Sequence, residues 1–515
     1  MASMNRRTFL GGLAATGFTI VPRRVLGGQG YTPPSDMILL AQVGCGTQAQ
    51  RQVNCGMVGR KDLQFVAVVD PNRNSQNYLD WSVPYGNRGT IRKFINEPTW
   101  GEGDTAPRAG RDVAKNIIET YYAKNNRPSK GIRAYEDYRE MLEKETDIQG
   151  VVAITPDHQH ASINIAALKK GKAAIAHKPI ANLLWEVHRL LAVARESPAT
   201  SHLLAYSNSP GRHLLAAWIK SGVIGHVKEV HNWTNRPQWP HGMREYYKQG
   251  PPIPEGFNWA LWQGPEPERI YHPGYTHTVY RGWYAYGAGC LGDMGHYSLW
   301  QPYRILNLGI PEWVETTASH TVEAHLGNRR ETPSQVAFPH ASSMRWHHPA
   351  TADRPAVDTF WYDGGMRPQT PDELLADSQS LEAEGMLFVG EKGKILCDFR
   401  GSGTPRLIPA SRNAAFDGQV EAGEFDRTSA EDEWANAIRK GTKSNGRFEN
   451  VAALAYAVSM ASIALRQPYK RLHFNLEKME FSEFNAAKKV HVRNEAATKL
   501  IKRENQRPEW DKLIG

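Results

Sequence analysis

From Met37 onward the chain alternates short apolar runs with longer stretches in which apolar residues recur at helical spacing. The runs Ile38 to Val43, Leu63 to Val69, Gly150 to Thr155, Ala173 to Ala176 and Ser201 to Tyr206 read as strands. Helix-compatible stretches separate them: one to about Val58, then Asp112 to Lys124, Glu136 to Lys144, a helix opened by Thr155-Pro156-Asp157-His158-Gln159-His160 and reaching Lys170, and Leu183 to Glu196. A polar, Gly- and Asn-rich excursion from Pro71 to Arg111 interrupts the pattern. Strands alternating with helices of this length predict an α/β fold with a parallel, doubly wound sheet. Ligands sit at the carboxyl ends of such strands, where Asp157, His160 and Lys178 fall.

Composition narrows the class without changing this picture. With 515 residues the chain is long enough for at least two cores, and 40% hydrophobic with 22% charged residues is an ordinary soluble composition. Mean hydropathy is -0.54. The net charge of +9 is terminal. Residues 1 to 30 carry four arginines and no acid, for +4; from Lys488 onward eight basic residues face four acids, for another +4. The body is left at 9 minus 8, or +1, so no nucleic-acid partner is expected. Cys45, Cys55, Cys290 and Cys397 show no paired spacing, and neither a disulfide framework nor a structural zinc site follows.

The N-terminus reads as an address. Asn5-Arg6-Arg7-Thr8-Phe9-Leu10 resembles the twin-arginine export signal, followed by an apolar stretch, Gly11 to Val21, too short to span a bilayer. Export to the periplasm is the expectation, and residues 1–30 are set aside from the fold.

Chemistry enters with Gly44-Cys45-Gly46-Thr47-Gln48-Ala49 at the first strand-to-helix turn. In this G-x-G-x-x-A pattern the first glycine permits the tight turn and the second lets backbone approach a pyrophosphate. The helix N-terminus, with Thr47 and Gln48, offers free N–H groups. Asp70, closing the second apolar run, is placed to accept from ribose hydroxyls and to repel a 2′-phosphate, which favours NAD over NADP, with Arg73 nearby weighing the other way.

The succession G-x-G-x-x-A, V-V-D-P-N, T-P-D-H-x-H and K-P resembles the Gfo/Idh/MocA family of nicotinamide-dependent sugar oxidoreductases. The resemblance resumes in Gly287 to Tyr297 and in Glu384 to Gly390. It implies a Rossmann domain, here 36–206, and an α+β domain with a large open, mostly antiparallel sheet, here 207–483, which binds substrate and forms a homo-oligomer. A polar tail, 484–515, is expected to wrap a neighbouring subunit. The cofactor set it implies adds Thr155, Pro156, Asp157, His160, His177 and Lys178 to the glycine turn and Asp70.

Two departures bear on mechanism. Glu-Lys-Pro becomes His177-Lys178-Pro179, keeping the lysine taken as catalytic. The D-x-x-x-H spacing becomes Asp293 followed by Tyr297, with His296 one step earlier, so the proton acceptor is either His296 or Tyr297. Sixteen aromatics lie in the 75 residues from Val230 to Arg304, against 10% overall. Such rings suit the C–H faces of pyranoses, and with Arg236, Trp239, His272, Arg281 and Trp283 the segment reads as a substrate wall. His347-His348 reads as a solvated loop pair, and His158 and His160 lack the supporting spacing of a metal site.

The expected reaction is oxidation of a carbohydrate secondary alcohol. Outside the cytoplasm there is no pool of free NAD, so the cofactor is expected to stay bound and be recycled in place. One alternative is an NAD-dependent glycosidase working by transient oxidation, elimination, hydration and re-reduction. Another is a non-catalytic carbohydrate-binding protein on the same fold.

Overall fold

The computed structural model describes residues 36–75, 86–104, 106–206, 208–236, 239, 241–325, 328–416, 420 and 423–515. The twin-arginine motif, and with it the export reading, lies outside them.

The first sheet has six strands: β1 (Ile38–Val43), β2 (Leu63–Val69), β3 (Arg133–Tyr135), β4 (Gly150–Ala153), β5 (Ala173–Ala176) and β6 (Ser201–Leu203). Their order is β3-β2-β1-β4-β5-β6 and every pairing is parallel. Helices cover both faces, so the strands are apolar on both sides rather than alternating. The order reverses between β1 and β4, which opens a crevice at their carboxyl ends.

Most boundaries agree with the pattern to within three residues; the exceptions have local causes. The first helix begins as an α turn, Thr47–Ala49, then widens through Gln50–Asn54, where the Cys55 N–H reaches back five residues to the Gln50 carbonyl. The polar excursion contains a helix, Gly86–Ile95, whose Ile91 and Ile95 pack against Val113 and Ile117. Its Gly and Asn residues hid a period carried by few apolar positions. β3 is a short edge strand with an exposed arginine, so it left no apolar run.

The second sheet has ten strands: β7 (Val227–Trp233), β8 (Trp313–Ala318), β11 (Ser342–His348), β12 (Val357–Asp363), β13 (Gly385–Gly390), β14 (Lys394–Cys397), β15 (Arg406–Ile408), β16 (Arg471–Asn475), β17 (Glu480–Asn485) and β18 (Val490–Arg493). A separate hairpin joins β9 (Thr321–His325) to β10 (Asn328–Thr332). All pairings are antiparallel except β7 with β12. The large, mostly antiparallel sheet expected of the second domain is present.

The pair His347-His348 is not a solvated loop. It ends β11, whose alternation turns His348 inward against the Tyr303 ring and leaves His347 stacked on Trp313 beside Asp358.

Two segments from late in the chain return to the first domain. Helix Ala430–Lys440 inserts Trp434 into the core formed by Leu40, Phe65 and Val152. The ring lies so close to β4 that a Cβ at Gly150 would stand 2.9 Å from it. The 484–515 stretch is not a loose tail: after β18 it folds back on its own chain. Arg503 is buried between Glu186 and Glu266, and helix Pro508–Ile514 docks with Trp510 1% exposed. The Lys169 ammonium donates to the Leu513 carbonyl at 2.8 Å, and the Arg189 guanidinium to that of Ile514 at 2.9 Å. Trp510, Leu513 and Ile514 give this polar-looking segment one apolar face, which the charged residues around it obscured. Among the described residues no helix is long and apolar enough to cross a membrane.

Candidate active site

A cleft of about 480 Å³ runs along the carboxyl ends of the first sheet and is lined on its other side by residues of the second domain. Its floor is the glycine turn. Gly44 has φ +87°, its N–H donates to the Val69 carbonyl at 2.8 Å, and a Cβ there would lie 2.2 Å from the Ile154 carbonyl oxygen. Only glycine fits that position. Gly46 is the extended residue before the first helical turn, and Thr47 and Gln48, which open that turn, line the cleft.

Asp70 sits at the end of β2 in the same cleft. One carboxylate oxygen accepts from the Cys45 N–H at 2.7 Å and the other from the Asn72 N–H at 2.8 Å. Burial pushes its pKa up to about 6 against those two donors. Arg73, the residue that argued for NADP, is ion-paired to Asp112 at 2.8 Å. Thr155 lines the cleft beside the glycine turn with a buried hydroxyl that has no protein partner.

Deeper in, Lys178 is 2% exposed and ion-paired with Asp293, which also lies 3.2 Å from Arg281. Burial pushes the Asp293 carboxyl up, but Lys178 and Arg281 together outweigh it and hold the pKa at about 2. Burial lowers Lys178, Asp293 raises it, and Arg281 lowers it further. Behind this pair Asp157 accepts from the Tyr280 hydroxyl at 3.2 Å and the Ala288 N–H at 3.1 Å, with Arg281 3.9 Å away.

The two departures from the family pattern meet in space. The Tyr297 hydroxyl is 2.8 Å from Nε2 of His177, and the Lys178 ammonium lies 5.3 Å from the centre of the Tyr297 ring. Burial, then the Lys178 and Arg281 charges, hold His177 well below the ordinary imidazole value, so it is neutral and able to accept. Burial and Asp293 raise the Tyr297 phenol, so its proton stays on oxygen at rest.

The other expected residues divide. Gly44, Gly46, Thr47, Gln48, Asp70, Thr155, Pro156, His177, Lys178, Arg236, Arg281, Asp293 and Tyr297 all line the cleft; Asp157 lies just behind it. His160 is wholly buried against the Pro179 carbonyl, outside the lining. His296, one of two candidate proton acceptors, is also wholly buried outside the lining, and burial lowers its pKa to about 3. Trp239, His272 and Trp283 do not face the cleft: His272 stacks on Tyr247, Trp239 packs near His241, and Trp283 donates to the Gly274 carbonyl in a core of its own rings. The aromatic segment is mainly that core; rings that fill one another have the same composition as rings that face a sugar. Trp262, Tyr280 and Tyr297 are the members that reach the cleft.

Sequence reasoning missed Arg400, His277 and Trp510, which also line it. Arg400 sits in the turn after β14 with its guanidinium 4.7 Å from the Tyr297 ring centre. No periodicity marks a turn residue of this kind. Trp510 was legible only as the large member of the apolar face on the last helix.

Residues 114–203 match the model of the Gfo/Idh/MocA oxidoreductase family's NAD-binding Rossmann fold, and residues 216–310 match its C-terminal alpha/beta domain. Together the two matches span 185 of the chain's 515 residues. The Gfo/Idh/MocA match begins after the polar excursion, so the glycine turn and Asp70 stand on their own geometry. Levoglucosan dehydrogenase of Pseudarthrobacter phenanthrenivorans is 30% identical over 115 residues, 21% of this chain and 29% of the relative's length. Among solved structures, the WlbA dehydrogenase of Chromobacterium violaceum, in complex with NADH and UDP-GlcNAcA, is 14% identical with a TM-score of 0.50, covering 86% of this chain and 97% of that one. Levoglucosan dehydrogenase in complex with NADH is 14% identical with a TM-score of 0.48, covering 84% of this chain and 96% of that one. At such identity the likeness is one of fold.

The donor set fits NAD. The strained glycine turn gives room for a pyrophosphate, Asp70 offers a carboxylate at the ribose position, and the Thr155 hydroxyl is an unmet polar group facing the same space.

Proposed function

We propose that this chain is a Gfo/Idh/MocA oxidoreductase that oxidises a secondary alcohol of a carbohydrate, with NAD held tightly and recycled in place. The observation that carries the reading is one cluster: Lys178 ion-paired to Asp293, beside a Tyr297 hydroxyl in contact with a neutral His177. Such a cluster combines a cation where alkoxide charge develops with a path for the departing proton.

Bound NAD supplies the acceptor for the hydride that leaves the sugar carbon. The protein does the rest. Gly44 and the turn after it would hold the pyrophosphate, and Asp70 the ribose. Asp293 fixes Lys178 so that its ammonium stabilises the substrate oxygen as it loses its proton. Tyr297 receives that proton and passes its own to Nε2 of His177. The alcohol carbon is oxidised to a carbonyl, one proton leaves to water by way of the Tyr297–His177 contact because the Lys178 and Arg281 charges disfavour its resting on His177, and the reverse transfer reduces a second carbonyl compound.

The test begins with the protein as purified. Denaturation followed by mass spectrometry is expected to release stoichiometric nicotinamide, and sugar oxidation is expected to reduce it. Protein that binds no NAD, even when it is added, overturns the reading. Aryl glycosides provide the second arm: aglycone release with no net reduction selects the glycosidase instead. The export expectation is checked by fractionation, with periplasmic protein lacking its first residues as the supporting result.

A further inference from the structure

The second-domain wall of the cleft carries more positive charge than this chemistry uses. Lys178 and Arg281 are matched by Asp293 and Asp157. Arg236 and Arg400 have no ion pair of their own: among the described residues no carboxylate lies within ion-pair distance of either, and Arg236 acts on Asp293 only from farther off. Arg236, just past the end of β7, places Nη1 3.1 Å from the Met294 sulfur, and Arg400 rests on the Tyr297 ring. The acids of that wall are engaged elsewhere. Glu384 accepts from the Thr234 hydroxyl, Asp363 from Ser342 and the Trp361 indole, and Asp398 from the N–H groups of Arg400, Ser402 and Gly403.

Arg51, on the helix after the glycine turn, also lines the cleft, whereas Arg236 and Arg400 come from the second domain. Their neighbours are the proton path and the ion pair: Arg400 and Lys178 both lie against Tyr297, and Arg236 follows the strand end that packs beside Met294, the residue after Asp293. Covering a guanidinium that has no ion pair is costly, whereas its planar fork matches a carboxylate or phosphate.

We propose that the substrate is an anionic sugar, bearing a carboxylate or phosphate that Arg236 and Arg400 hold while the reacting hydroxyl meets Lys178 and Tyr297. This rests on the proposed function and adds its substrate class.

The test uses NAD-loaded, full-length protein and isothermal titration with D-glucuronate, D-glucose 6-phosphate and D-glucose at low and high salt. At least one anionic sugar is expected to bind ten-fold or more tightly than D-glucose and to weaken as salt rises. Glucuronate ahead identifies a carboxylate as the anchor, and the phosphate ester ahead identifies a phosphate. Arg236→Gln and Arg400→Gln are each expected to reduce the preference several-fold, with bound NAD content and melting temperature retained. No preference for an anion, absent binding included, or a preference untouched by both substitutions, overturns the proposal. Protein that carries NAD yet prefers neutral sugars overturns this inference alone, whereas protein that binds no NAD overturns the functional reading beneath it.

Discussion

Two buried ionic clusters of similar make-up sit in different parts of the molecule. In one, Arg503 bridges Glu186 and Glu266, and Arg269 takes the second oxygen of Glu266 at 3.0 Å. The remaining Glu186 oxygen accepts from the N–H groups of Asn182 and Leu183, so every carboxylate oxygen is used. The other cluster, Lys178, Arg281, Asp157 and Asp293, has the same two cations and two anions but opens on a cleft. Beside it stand a polarised Tyr297–His177 pair and two arginines without ion pairs of their own. Burial and charge alone do not separate structural from chemical clusters. What separates them is placement: the enclosed one ties three segments of chain together, although Arg503 Nη2 is left without a partner, and the open one faces a cleft that can take a ligand.

The contrast is broken most directly at Arg503. Arg503→Met leaves two buried carboxylates short of a partner, and urea unfolding is expected to show a loss of about 3–5 kcal/mol. A loss below about 1 kcal/mol, the value of a surface pair, would place it with ornamental ion pairs instead. At Lys178 the balance reverses. Lys178→Ala is expected to cut turnover about 100- to 1,000-fold, as for loss of a donor at a developing oxyanion, while Arg281 still partners Asp293 and limits the stability cost. Stopped-flow absorbance of bound NADH, alongside a melting curve, distinguishes the two effects.

Tyr297→Phe sharpens the open side of the comparison. It removes the hydroxyl that meets His177 and keeps the ring between Lys178 and Arg400. A drop of about 100-fold in turnover, with sugar affinity little changed, is the outcome expected for lost proton transfer. Unchanged turnover would remove the phenol from the proton path. His296→Gln, away from the cleft, is expected to leave turnover far less affected.

The smallest effect is one of pH. Burial raises the Asp70 pKa to about 6 in the folded protein, above its unfolded value, so the folded state holds the extra proton. Its contribution to stability is therefore greatest in acid and declines as pH rises through about 4 to 6. Ribose hydroxyls donate best to the ionised form, so NAD affinity moves the other way and is expected to rise several-fold between about pH 5 and pH 7. Fluorescence titration with NADH measures this, and Asp70→Asn is expected to flatten the dependence. A slope that survives the substitution assigns it to another group.

The first wall of the cleft was legible because its chemistry is written locally. Gly44, Gly46 and Asp70 lie at the ends of apolar runs whose meaning is fixed by the strand–turn–helix unit itself, and Lys178 closes another. The second wall is assembled from distant pieces. Arg400 reaches Tyr297 across a hundred residues of chain, and nothing in the Gly-Ser turn around it signals that meeting. Tyr297 and His177 each looked like a loss of the family pattern; only their contact shows that the two changes belong together. The Val230 to Arg304 rings were misread because mutual packing and sugar stacking select the same side chains, and composition carries no direction.

Trp510 gives the order of assembly a consequence. The turn that receives the pyrophosphate leaves the ribosome early, but the side of the cleft formed by Trp510, packed under the Arg139 guanidinium at 4.4 Å, arrives only with the last helix. A nascent chain can form its first sheet and still have an unfinished binding channel. Loading is thereby tied to the docking of helix Pro508–Ile514 against the first domain.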